Sequence, residues 1–165
     1  MSYKDALIGE LKHECASTKK MLERVPFDKQ DWKPHEKSMS LGALATHVAD
    51  IPHWISNIAN IDNFDFQKDY KPFKAATHEE MMAIYQTSMD KAIADLENMK
   101  DEDFGKTWTV LNGGNVMFSF PKGGAVRGWA FSHMIHHRGQ LSVYLRLLNV
   151  PVPGMYGPTA DEAFM

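Results

Sequence analysis

Four stretches of the chain repeat apolar residues at alternating steps of three and four. Ile8, Leu11, Cys15, Thr18 and Leu22 form the first. Leu44, His47, Ile51, Trp54 and Ile58 form the second. Met82, Tyr85, Met89, Ala92, Leu96 and Met99 form the third, and Ala130, His133, His137, Leu141, Tyr144 and Leu148 the fourth. A 3-4 alternation keeps one face of a helix apolar, as antiparallel bundles require. Thr77 and Glu80 have the spacing of a capping box ahead of the third helix, and Ser38 or Ser40 suits the N-cap of the second. Pro26 and Pro34 punctuate the link between the first two helices, and Pro151 and Pro153 stop the fourth. Pro52 falls inside the second run, where it is expected to kink the helix or end it early.

Between the third and fourth helices the pattern changes. In WTVLNGGNVMFSF an Asn-Gly-Gly-Asn centre is flanked by Val, Leu, Met and Phe, which predicts a short β-hairpin. A lone two-stranded ribbon is marginal, so it must lie against the helices. The expectation is an all-α, up-down-type four-helix bundle with a short hairpin or long loop before the last helix. The 165 residues suit a single domain over 1–165, long enough for one core. The tail from Val150 to Met165, rich in Pro and Gly, reads as an ordered loop with the Tyr156 ring packed on the helices.

Composition narrows the function classes. The net charge is −3 with both signs scattered, and no basic stripe is interleaved with aromatics, which argues against a nucleic-acid partner. No apolar run reaches membrane-spanning length, and the N-terminal segment does not resemble a signal peptide. The single cysteine, Cys15, excludes an intramolecular disulfide and a multi-cysteine metal site. The expected setting is soluble, reducing and cytoplasmic.

Histidines interrupt the apolar pattern. His133 and His137 stand about 40° apart around a helix axis and ~6 Å apart along it, so both project toward one point. His47 occupies an apolar position of the second helix. A lone interior histidine is normally a hydrogen-bonded structural residue. Two in contact are harder to satisfy, since each buried without a partner costs ~1–3 kcal/mol. A divalent ion removes that cost, because neutral imidazole is a common metal ligand. Three nitrogen ligands leave a coordination position open, as catalytic rather than structural sites do. Zn²⁺ suits such a site, and Ni²⁺, Fe²⁺ or Mn²⁺ also fit.

His136, about 60° to the other side of His133, is the rival ligand and is expected to flank the seam. His53 should point away, and His13, His35 and His78 read as surface residues. Met81, Met82, Met89 and Met99 read as core packing ahead of a thioether-copper site. Arg138 and Gln140 read as helix surface or a helix–helix contact, and Gly139 as a point of close approach. Asp50, one turn past His47, reads as a helix-surface carboxylate or as one orienting a water.

HMIHHRGQL at 133–141 resembles the last-helix motif of the DinB-like (DinB/YfiT) proteins. Asp31-Trp32-Lys33-Pro34 resembles that family's Trp-x-Pro approach to helix two. SLGALATH at 40–47 resembles its helix-two signature, and VPGMYGPTADE at 152–162 its C-terminal tail. The resemblance implies a four-helix bundle holding a divalent metal, zinc or nickel, on His47, His133 and His137. It also implies a homodimer and, by analogy with thiol S-transferases and isomerases that use bacillithiol or mycothiol, a low-molecular-weight thiol as small-molecule substrate. The leading expectation is a metal-dependent thiol S-transferase with unassigned catalytic acid or base. The alternatives are a metal-dependent hydrolase and a non-catalytic metal- or ligand-binding stress-response protein.

Overall fold

The structure is a computed structural model describing residues 2–163, so the last two residues of the predicted tail loop lie outside the described residues. Helix α1 spans Tyr3–Leu22 and starts on a capping box, with the Ser2 side chain accepting from Asp5 N–H and Asp5 accepting from Ser2 N–H. Helix α2 spans Leu41–Asp50, and Ser40, not Ser38, caps it through Ala43 N–H. Pro52 separates α2 from α3, His53–Asn60, so the second periodic run is broken at the proline. Strand β1, Asn63–Asp65, and the short helix α4, Phe66–Asp69, come next. Helix α5, His78–Asn98, is capped by Thr77 through Glu80 N–H, while Glu80 itself reaches Ala76 N–H. Strands β2, Thr107–Asn112, and β3, Asn115–Pro121, form the hairpin. A continuous helical run follows: α6, Lys122–Ala125, a π-helical segment Val126–Phe131, and α7, Ser132–Leu147.

The all-α expectation is overturned. Three strands form a mixed sheet in the order β1-β2-β3, with β1 parallel to β2 and β2 antiparallel to β3. The turn of the predicted hairpin is Gly113-Gly114, with φ of 60° and 81°, the left-handed pair that two-residue hairpins require. Trp108 and Val110 point inward and are buried, which seats the ribbon on the helices. The extra strand β1 gave no sequence signal because it is only three residues long with one apolar side chain, Phe64. Asp65 at its end accepts hydrogen bonds from Gly113 N–H at 2.9 Å and Gly114 N–H at 2.8 Å, tying strand β1 to the hairpin turn.

The helices share one core, in which α5 packs on α1, α2 and α3, and α7 packs on α1 and α2. Leu7, Leu11, Leu44, Ile55, Tyr85, Leu96, Leu141 and Leu145 are among its fully buried members. The Tyr85 hydroxyl donates to the Cys15 carbonyl, joining α5 to α1. On α7 the buried line is Met134, Arg138, Leu141 and Leu145. That line shares Leu141 with the predicted seam but is rotated from it by about 60° on average, toward Met134, Arg138 and Leu145. The histidines of α7 therefore lie at the rim of the core, not at its centre.

Arg138, read from sequence as surface or contact, is 2% exposed. It donates to Glu14 Oε2 at 2.7 Å, to the Glu14 carbonyl at 3.0 Å and to Thr18 Oγ1 at 3.1 Å, locking α7 to α1. Tyr156 is 62% exposed as a residue, but its ring does pack on the helices: it stacks on His13, centroids 6.5 Å apart, with the Arg138 guanidinium 5.3 Å from its centroid, and its hydroxyl donates to Glu14. Gly139, expected to be a point of close approach, faces open space instead. Removing one partner of a buried ion pair strands the other, at ~3–5 kcal/mol. Glu14→Gln is expected to destabilise the protein by about 3 kcal/mol in chemical denaturation. A loss below ~1 kcal/mol contradicts this reading of the pair.

Candidate metal centre

The three predicted histidines come together. Nitrogen atoms of His47 on α2 and of His133 and His137 on α7 lie within 4.8 Å of one another. The Nε2 atoms of His47 and His133 are 3.1 Å apart. The ring centroids are 4.9 Å apart for His47–His133, 4.7 Å for His47–His137 and 4.6 Å for His133–His137. All three rings are half-buried, so one side of the cluster meets solvent.

Local structure aims each ring. Ser40 and the contact of Trp32 with Tyr144, centroids 5.6 Å apart, fix the start of α2 beside α7. The π-helical segment ends two residues before His133 and adds a residue to the turn carrying Trp129; such insertions recur at functional sites. His133 hydrogen-bonds the Trp129 backbone. His137 Nδ1 lies 2.7 Å from Gln140 Oε1, an acceptor, which places the proton on Nδ1 and leaves Nε2 as a lone pair. Gln140 is exposed, as expected, and from i+3 on the same helix it also partners the His137 ring.

The electrostatics favour neutral imidazoles. Burial, and then the neighbouring His133 and His137, lower His47 to about 4. Burial, His137 and His136 lower His133 to about 4 against the Trp129 hydrogen bond. His137 is also lowered, by burial first, with Gln140 acting the other way. Neutral rings with lone pairs facing each other at 3.1 Å repel unless a proton or cation lies between them. Tetrahedral bonds of 2.0–2.1 Å to three nitrogens put those nitrogens roughly 3.3 Å apart, which fits the observed pair. The donor set therefore suits a divalent ion of the Zn²⁺ or Ni²⁺ type.

The other histidines stand apart. His136 is exposed and packs edge-on against the outer side of His137, centroids 4.9 Å apart. His13 and His35 are exposed as expected, but His78 is half-buried with Nε2 3.2 Å from the Leu22 carbonyl. His53 is half-buried in the wall of a cavity over α3 that also contains Asp50. Asp50 is half-buried too, not a helix-surface residue, and burial raises its carboxyl above the usual range while His53 opposes the shift. A second cavity of about 300 Å³ reaches His47 itself and is lined by Asp50, Thr46, Met39, Tyr70 and Phe73. The segment that covers it, residues 70–74, carries no periodic signal and was invisible in the sequence.

A family profile described as the DinB family matches residues 1–163. The chain belongs to the DinB family. Its relatives include two uncharacterized proteins of Bacillus subtilis (strain 168). YjoA is 26% identical over 129 residues, 78% of this chain and 80% of YjoA. YrdA is 22% identical over 158 residues, 96% of this chain and 90% of YrdA. Among solved structures, a DinB-like protein from Bacillus cereus ATCC 10987 superposes with a TM-score of 0.72 at 20% identity, covering 92% of this chain and 97% of that one. The B. subtilis YjoA structure, a DinB-like protein, gives 0.71 at 21% identity, covering 91% and 97%. These two share the fold of this DinB protein.

The lowered histidines predict a pH dependence. An unfolded histidine titrates near 6.5, and the folded value for His47 and His133 is about 4. Between those values the unfolded chain binds more protons, so their contribution makes stability rise with pH from about 4 to about 6.5 and level off above. NMR titration of metal-free protein should give midpoints for both rings below pH ~5. Midpoints near the ordinary histidine value contradict this electrostatic picture.

Proposed function

We propose that His47, His133 and His137 bind one divalent metal ion, zinc or nickel, and that the protein is a metal-dependent enzyme of the thiol S-transferase type. The observation that carries this reading is the convergence of three half-buried, neutral imidazoles whose nitrogens lie within 4.8 Å of one another. A structural ion would have its fourth ligand from the protein. Here the histidines are the one such group of metal-binding side chains among the described residues. A bound ion would lower the pKa of a coordinated thiol, so that the thiolate is available near neutral pH.

The chain's own residues supply the rest. Gln140 holds the His137 ring in one tautomer and orientation. Met39, Tyr70, Pro72 and Phe73 make the cavity beside His47 largely apolar. Such a wall suits an alkyl electrophile. The thiol loses its proton, the sulfur forms a bond to carbon, and the leaving group departs with the bonding pair.

The test combines elemental analysis with a thiol panel and a bromoalkyl electrophile. The expected result is one zinc or nickel ion per chain and thiol-dependent displacement of bromide. His137→Ala is expected to lose the metal and at least about a hundredfold of the rate. Full metal occupancy with no rate for any thiol would reduce the protein to a binding module. Absence of metal under reconstitution removes the proposal altogether.

A further inference from the structure

Two cavities adjoin beside the histidine cluster. The smaller includes His47 in its wall. The larger, about 740 Å³, runs over α3 past Trp54, Asn57 and Ile84. Asp50, Tyr70, Lys71 and Phe73 line both cavities and so mark their junction.

Two of these four carry unanswered charge. Asp50 is half-buried, and no hydrogen bond from the described residues reaches its carboxylate; His53 is the neighbouring group that opposes the effect of its burial. Lys71 is exposed and forms no ion pair among the described residues. Of the other charges nearby, Lys74 pairs with Asp31 at 2.7 Å and Asp69 accepts from Asp65 N–H at 2.8 Å, while Lys68, also without an ion pair among the described residues, lines the larger cavity only. A carboxylate and an ammonium that face one junction without pairing to each other are both satisfied by a ligand carrying the two opposite charges. A partly desolvated carboxylate gains most from an ammonium. Tyr70 and Phe73 add an apolar wall for such a group, and aromatic faces attract cations.

We propose that this junction binds the amino-acid head of a thiol substrate, with its ammonium on Asp50, its carboxylate on Lys71 and its sulfur directed at the histidine cluster. This rests on the metal–thiol reading given above. Asp50 lies one helical turn past His47, about 4.5 Å along the axis, a separation matched to the S–C–C–N unit of a 2-aminothiol. The larger cavity exceeds the size of a single amino acid, so the substrate extends beyond its head over Trp54.

Cobalt-substituted protein reports thiolate binding through its absorption spectrum, independently of turnover. Titrations would use L-cysteine, cysteamine, 3-mercaptopropionate and 2-mercaptoethanol. L-Cysteine is expected to bind tightest. Asp50→Asn is expected to weaken cysteine and cysteamine about tenfold and leave 3-mercaptopropionate unchanged. Lys71→Gln, at an exposed position, is expected to weaken cysteine and 3-mercaptopropionate about threefold and leave cysteamine unchanged. A preference for cysteine that survives Asp50→Asn reflects chelation by its amino nitrogen and overturns the inference, as do equal affinities for all four thiols. A cobalt spectrum that responds to no thiol instead defeats the thiol reading itself, and this inference with it.

Discussion

The packing of α2 against α7 sets the distance between His47 and the pair His133 and His137, and the candidate site depends on it. His47 sits between buried residues of α2, and the two α7 histidines sit beside the buried line Met134–Arg138–Leu141. With the cores of both helices filled, the rings at the margin have one place to go, and they meet with Nε2 atoms 3.1 Å apart. Burial keeps them neutral, and two neutral rings this close are satisfied by an N–H of one donating to the other or by a shared cation. A divalent ion held by all three would stabilise a polar cluster that a core ordinarily rejects.

Several features keep that geometry rigid. The Glu14–Arg138 pair is buried on both sides and fixes α7 to α1 next to His137. Trp32 against Tyr144 holds the entrance of α2 over α7. The break at Pro52 lets α3 leave the line of α2, so that Asp50 and His53 turn toward the cavities under residues 70–74. The sheet also acts on the site: Trp108 and Phe118 pack on Trp129, whose backbone holds the His133 ring.

Much of this was legible in the sequence, for reasons tied to particular residues. The i, i+4 pair His133 and His137 and the apolar register of His47 were enough to bring the three rings together, because helical periodicity is a local property. The hairpin was legible from Asn-Gly-Gly-Asn, because φ > 0 at both turn residues admits few alternatives. Strand β1 was not, since a three-residue strand is defined by its partner and not by its own pattern. The rotation of the α7 core face was hidden too. Arg138 lies on the buried line only because Glu14, more than a hundred residues earlier, answers its charge. The junction of Asp50, Tyr70 and Lys71 depends on a connecting segment without periodicity, so nothing local announced it.

The central claim is that the three imidazoles share one cation. X-ray absorption of the zinc- or nickel-reconstituted protein at the metal edge tests this directly. The account predicts three histidine nitrogens at about 2.0–2.1 Å, with a fourth, exchangeable position that changes scatterer when a thiol is added. Fewer than three histidine nitrogens, or a first shell completed by a protein carboxylate and indifferent to thiol, would contradict it.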